Sequence, residues 1–169
     1  TSHTAMAGNP DRAGSAGATQ LLINPWARSA GWGLANSASV RGVEAMYGNV
    51  AGLSQVNKTE VLFSSTRING AGISINSVGL GQKLGASGVL GITATVFSLG
   101  EIEVTTVQNP EGGRGGYTPN MANIGLAYSK SFSNSIFGGL LVRVVSESTS
   151  NIRTSGICFD AGIHYVTGP

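Results

Sequence analysis

Charge is what this sequence has least of. Lys and Arg number 10 and Asp and Glu 8 among 169 residues, so charged residues make up 11% of the chain, against roughly 25% in an average soluble domain. A surface that meets water on all sides ordinarily carries more. The formal net charge of +2, with no basic run and no aromatic-basic interleaving, speaks against nucleic acid as a partner. Cysteine occurs once; Cys158 excludes an intramolecular disulfide and supplies no metal site by itself, so neither metal nor cofactor is expected. No run of about 18 apolar residues exists, which excludes a transmembrane helix. The chain opens without a basic n-region or an apolar h-region, and the expectation is that any export signal has been removed ahead of Thr1.

What the sequence does have is glycine, 26 residues of it, together with Ser, Thr and a two-residue rhythm. From Ala122 to Phe132 the even positions Ala122, Ile124, Leu126, Tyr128, Lys130 and Phe132 alternate with Asn123, Gly125, Ala127, Ser129 and Ser131. Ile136, Leu140, Val142 and Val144 oppose Gly139, Arg143 and Glu147; Ile157, Phe159, Ala161, Ile163 and Tyr165 oppose Cys158, Asp160, Gly162 and His164. Side chains on a strand point alternately to its two sides, so these are strands between two different surroundings. Low charge and alternation of apolar with small residues fit an antiparallel transmembrane β-barrel with a greasy outside and a wet lumen. A soluble β-sandwich or solenoid alternates too and remains the other reading.

Taken in order, residues 1–18 read as a flexible lead of small and polar residues. Residues 19–58 read as a hatch or plug. Val40, Val43, Met46 and Tyr47 recur at the spacing of a helical face, with Ser39 as its cap and Gly48 and Asn49 as its left-handed end. Arg41 and Glu44, three apart on that helix, are expected to pair on a solvated face. Residues 59–169 read as strands. Asn69-Gly70 marks a hairpin turn; a β-bulge near Asn76 and Ser77 is expected, because the apolar set slips there from Ile73 and Ile75 to Val78, Leu80 and Leu84. Ile102 and Val104 are expected to extend the third strand past Gly100. Asn109 to Thr118 is the long loop, expected outside the cell, and Ser133 to Ser135 the short periplasmic turn. Tyr117, Tyr128, Phe132, Phe137 and Tyr165 are candidates for aromatic girdles. Six strands cannot close, since the smallest membrane barrels have eight and an open edge in lipid leaves backbone groups unpaired. The chain is therefore expected to be the N-terminal part of a longer barrel.

No catalytic group is expected. Arg143, Glu147, Asp160 and His164 share the polar face, where Arg143 and Asp160 on neighbouring strands are expected to approach each other in a lumenal ion network. An acid-base cluster of these residues is the less favoured alternative. Ser155 with Asp160 and His164 has the composition of a triad but no nucleophile turn. The run Gly113 to Gly116 follows no phosphate-binding motif and reads as an outer loop, and His3 stands in the lead without a partner.

Residues 20–28 (QLLINPWAR), 39–53 (SVRGVEAMYGNVAGL), 79–85 (GLGQKLG) and 159–165 (FDAGIHY) resemble the PorV/PorQ family of outer-membrane proteins, relatives of the FadL-type barrels. The family pattern of Glu-Ala, three residues, then Asn-Pro-Ala-Gly-Leu is met by Glu44, Ala45, Asn49, Ala51, Gly52 and Leu53, with Val50 in place of Pro. The resemblance implies a FadL-like barrel of about fourteen strands, of which this chain covers the plug and about six strands. It implies an outer-membrane component of the type IX secretion system of Bacteroidota. Such a component binds cargo C-terminal domains and the large translocon barrel, and hands cargo to surface attachment. Asn109, Pro110, Glu111, Arg114 and Tyr117 are then the candidate partner-binding loop, and Trp26, Trp32, Arg41, Glu44 and Asn49 the plug. The FadL relationship leaves open a transporter of hydrophobic small molecules, with Leu21, Leu22, Trp26 and Trp32 lining the hatch.

Overall fold

A computed structural model describes residues 17–167 apart from 69, 71, 106, 108, 111, 114, 150 and 151. Its main body is one antiparallel sheet built from β1 (Thr59–Ile68), β2 (Ile73–Leu84), β3 (Gly88–Ser98), β6 (Asn120–Ser131), β7 (Ile136–Thr149) and β8 (Ile152–Tyr165), adjacent in that order. Between β3 and β6 the chain makes a small hairpin of its own, β4 (Ile102–Glu103) against β5 (Gly116–Tyr117). The protein is thus all-β, and β1 and β8 are free edges among the described residues. No helix of these residues is long and apolar enough to cross a membrane.

Unbroken register carries residues of one height across the whole sheet. Val61, Leu80, Ile92, Leu126, Val142 and Phe159 stand opposite one another on successive strands, and all six are exposed. The next row, Phe63, Val78, Ala94, Ile124, Val144 and Ile157, is apolar as well. Beyond it the next outward row is mixed, Ser65, Asn76, Val96, Ala122, Ser146 and Ser155, and one row further the outward positions are wholly polar, Arg67, Ser74, Ser98, Asn120, Ser148 and Arg153. At the opposite end Tyr128, Phe132 and Tyr165 stand exposed around the short turn. Phe137, expected with them, faces the other way, towards His164; it is the first residues of β7 that set this parity.

The other face carries the small and polar residues, and at its centre it is covered rather than wet. Residues 19–58 lie over it as α1 (Ala27–Gly31) and short 3-10 helices at Thr19–Leu22, Val43–Tyr47 and Val50–Gln55. The last of these packs across β3, β6, β7 and β8. Met46, Val50, Leu53 and Val56 from this segment form one buried cluster with Val89, Ala127 and Leu141 from the sheet. The close approach rests on missing side chains. A methyl group on Gly91 would stand 2.8 Å from both Leu53 and Met46, and one on Gly139 would stand 2.8 Å from the Val50 carbonyl; Gly79, Gly81 and Gly162 are blocked in the same way by Val43 and Asn49.

Several expectations are corrected. The helix capped by Ser39 is not formed: Gly42, at φ 75°, precedes a 3-10 helix, and Gly48 and Asn49 have φ of −110° and −154° instead of left-handed values. A spacing of three serves a 3-10 helix as well as an α-helix, and a segment pressed flat on a sheet takes the tighter one. β2 has no bulge, since its pairing to β1 and β3 is continuous. Instead Ile75 points inward, buried opposite Phe97, because the covered face is itself apolar at that height. Ile102 and Val104 do not extend β3; Gly100, at φ 78°, turns the chain away. β8 begins at Ile152, where residues 152–156 lack alternation and gave no signal. Gly70 is in the turn at φ 89°, while Asn69 and the lead residues 1–16, His3 included, lie outside the described residues.

Replacing Gly139 by Val is expected to cost about 1–3 kcal/mol, the usual penalty of overpacking, because the Val50 backbone cannot give way as a side-chain tip could. Thermal unfolding compared with Ala94→Val on the outward face checks this, since the control has open space to occupy.

Candidate functional site

The inward face of the sheet holds a chain of polar groups where it meets the covering segment. Alternation aims Ser77, Thr95 and Asn123 inward at one height and Arg143 one step below. Tyr47, at the end of the 3-10 helix Val43–Tyr47, reaches down to them. Its Oη donates to Asn123 Oδ1 at 2.8 Å and lies 2.7 Å from Thr95 Oγ1. Ser77 Oγ donates to Thr95 Oγ1 at 2.9 Å. The Arg143 guanidinium donates from Nη1 to Asn123 Oδ1 and from Nη2 to the Met46 carbonyl, both at 3.0 Å, and lies 4.2 Å above the Tyr47 ring. Trp26 closes the other side of Tyr47 edge-on, with ring centres 6.3 Å apart. Arg143 is only 3% exposed, so its charge is held by carbonyl oxygens and a π face. The Nδ2 of Asn123 and the Oγ1 of Thr93 are buried beside it without a protein partner.

Two further groups fasten the segment. Glu44 is buried and accepts the Ser29 backbone N–H at 2.7 Å and the Ser29 hydroxyl at 2.6 Å, with Arg28 Nε 3.5 Å from its second oxygen. Asn49 Oδ1 accepts the Ala51 N–H at 3.2 Å, capping the 3-10 helix Val50–Gln55, while its Nδ2 donates to the Ile163 carbonyl on β8 at 3.1 Å. The Asn-x-Ala-Gly-Leu corner therefore has a physical content. Asn49 caps and clips, Gly52 passes against the Val40 carbonyl, and Leu53 fills the core.

The polar face does bring Arg143, Glu147, Asp160 and His164 to one side, but not into one network. Arg143 stands opposite Cys158 and Asp160 opposite Leu141. Arg143 takes Asn123 and Met46 as partners in place of Asp160: one oxygen comes from the neighbouring strand β6 and the other from the covering segment. Glu147 accepts the Ala18 N–H at 2.9 Å. His164 is bonded through Nε2 to the Ala38 carbonyl, and its Nδ1 is buried without a partner. Arg41 does not pair with Glu44, which is turned inward to Ser29 and Arg28; Arg41 instead lines a surface recess with Arg28 and Glu60. Ser155 faces outward and His164 inward, so no triad is assembled. Trp26 is buried in the segment and Leu21 half-buried, whereas Trp32 is 67% and Leu22 80% exposed, so Leu21, Leu22, Trp26 and Trp32 do not share one lining.

A pocket of about 200 Å³ remains between the segment and β8, lined by Leu21, Tyr47, Asn49, Arg143, Cys158 and Asp160 among others. Among the described residues no group of three or more His, Cys, Asp or Glu is placed to hold a metal ion. In the long connection, Asn109 is half-buried, Pro110 exposed and Tyr117 paired with Ile102 in β5; Glu111 and Arg114 lie outside the described residues.

The chain matches no protein-family model, no curated protein and no solved structure. Its site is therefore read from its own geometry. Tyr47, Thr95 and Asn123 are the residues that reading the sequence missed. Their signal was available for the strand pair, since Thr95 and Asn123 share parity with the glycines; Tyr47 was legible only as part of an apolar helical face, with no signal for its hydroxyl contacts.

Arg143→Met should destabilise the fold by about 1–3 kcal/mol, because the Met46 carbonyl is left buried without its donor. Arg143→Lys should recover only part of this, as an ammonium cannot reproduce the forked contact. Denaturant unfolding of both variants checks the order.

Proposed function

We propose that this chain is part of an outer-membrane β-barrel of the PorV/PorQ type, with residues 19–58 as the lumenal plug. The observation that carries the reading is the inversion of the sheet. Two full rows of Ile, Leu, Val, Phe and Ala point outward, while the inward face carries Gly, Ser, Thr, Asn and Arg around a smaller apolar set, Ile75, Val89, Phe97, Leu141 and Val145, and is covered. A water-soluble sheet buries its greasy face. The strands are 10 to 14 residues long, enough for the 9–11 residues a tilted membrane strand needs. From Ile157 to Tyr165 the outward band runs roughly 26 Å along β8 at about 3.3 Å per residue. A polar border at one end and Tyr128, Phe132 and Tyr165 at the other give it the limits of a bilayer. The free edges of β1 and β8 then pair with further strands that complete the barrel.

Within that reading, the role is the one implied by the family resemblance: holding cargo C-terminal domains of the type IX secretion system at the rim and passing them on from the translocon barrel. The connection between β3 and β6 is the long element at the end where the outward rows turn polar, and it is placed to meet a partner outside the bilayer. A FadL-like transporter of hydrophobic molecules is the second reading. The pocket beside Asn49 and Arg143 favours it, since a small space under a plug held by a few hydrogen bonds is where a path would open.

Val142→Arg, in the middle of the outward band, is expected to cost about 2–4 kcal/mol of stability in a bilayer; an unchanged unfolding midpoint in vesicles would remove the hydrocarbon contact. Capture of a cargo C-terminal domain or a very large outer-membrane partner on co-purification supports the secretion role, and its weakening after deletion of residues 109–117 with the sheet intact places the contact in that loop. Recovery of a bound lipophilic molecule without any such partner supports transport.

A further inference from the structure

Outward from β6, β7 and β8, the sheet carries an open trough of about 760 Å³. Its floor is the outward positions Gly138 and Ala161 with the backbone of Gly139 and Gly162 between them, and its walls are Tyr128, Phe132, Leu140 and Ile163. The register explains the shape. Lys130 stands opposite Gly138, and Gly138 opposite Ile163, so one outward row contains a cation, a glycine and a branched wall. The Phe132 ring leans over Gly138, 2.7 Å from where a methyl on that glycine would stand. Lys130 is exposed between the rings of Tyr128 and Phe132 on its own strand, and among the described residues no carboxylate pairs with it.

We infer that this trough seats one acyl chain of an anionic phospholipid, with the Lys130 ammonium on the phosphate of its headgroup. The inference rests on the membrane reading above and adds a defined lipid site to it. An apolar channel one side chain deep accepts a hydrocarbon chain by filling contacts that the neighbouring rows deny. Lys130 lies at the aromatic end of the band, where a lysine extends its stem along apolar surface and places its charge at the headgroups. The unpaired cation and the apolar walls together match a lipid bearing net negative charge.

The test uses the full chain in phosphatidylcholine vesicles, with spin-labelled phosphatidylglycerol and spin-labelled phosphatidylcholine as probes. In the wild type, the motionally restricted fraction is expected to prefer phosphatidylglycerol by about fivefold, the effect of one lysine near an anionic headgroup. Lys130→Gln should bring the preference to unity, and Ala161→Leu, which fills the trough from an exposed position, should reduce it with Lys130 still present. Lys58→Gln, an exposed cation elsewhere, should leave it unchanged. Restricted lipid without headgroup preference, or a preference that survives both Lys130→Gln and Ala161→Leu, overturns the site while leaving the barrel standing. No restricted lipid at all overturns the membrane reading and the site with it.

Discussion

The close seating of residues 43–56 on a sheet face stripped of side chains is the contact on which the rest of the structure depends. A sheet whose Ile, Leu and Val rows face outward keeps only a few apolar residues, such as Val89, Ala127 and Leu141, on its inner face, so much of its core must come from elsewhere in the chain. Val50, Leu53, Met46 and Val56 supply it, and they reach the backbone of β3 and β7 because Gly91 and Gly139 put nothing in the way. Glycine in a strand ordinarily weakens it. Here the loss is offset by burial of the segment that the missing side chains admit.

That seating also explains the polar network. Where the glycines end, the inward positions are Ser77, Thr95, Asn123 and Arg143, and the segment meets them with Tyr47 and the Met46 carbonyl. A buried cation is costly unless its donors are matched. Arg143 meets that condition with two acceptors and an aromatic face rather than with a carboxylate. The segment is thus fixed by apolar contact over the glycines and by directional bonds at its borders, with Asn49 tying it to β8 and Glu60 accepting the Val43 N–H from β1. An element fastened in this way is held by many contacts, none of which sets its position alone.

The outward face is the largest apolar surface of the sheet. Its rows are uniform at mid-height and differentiated at the two ends, with hydroxyls and arginines at one border and rings with Lys130 at the other. The same alternation that builds this surface aims the inward network, so a change of register by one residue would exchange the two and abolish both.

The strands, their two faces and the assignment of residues such as Val142 and Arg143 to opposite sides were legible in the sequence, because side-chain direction along a strand follows from backbone geometry alone. The same holds for the aromatic residues Tyr128, Phe132 and Tyr165 and for the polar parity of Asp160 and His164. The tertiary structure alone decided that the small, polar face is covered, that Ile75 turns inward without a bulge, that the expected α-helix is a 3-10 helix over Val43–Tyr47, and that Arg143 bonds Asn123 and Met46 instead of Asp160. Periodicity records which side of a strand a residue occupies but not what lies against that side. The covering segment is remote in the chain, 97 residues separating Met46 from Arg143 and 114 separating Asn49 from Ile163, and a contact of that range leaves no local pattern in either partner.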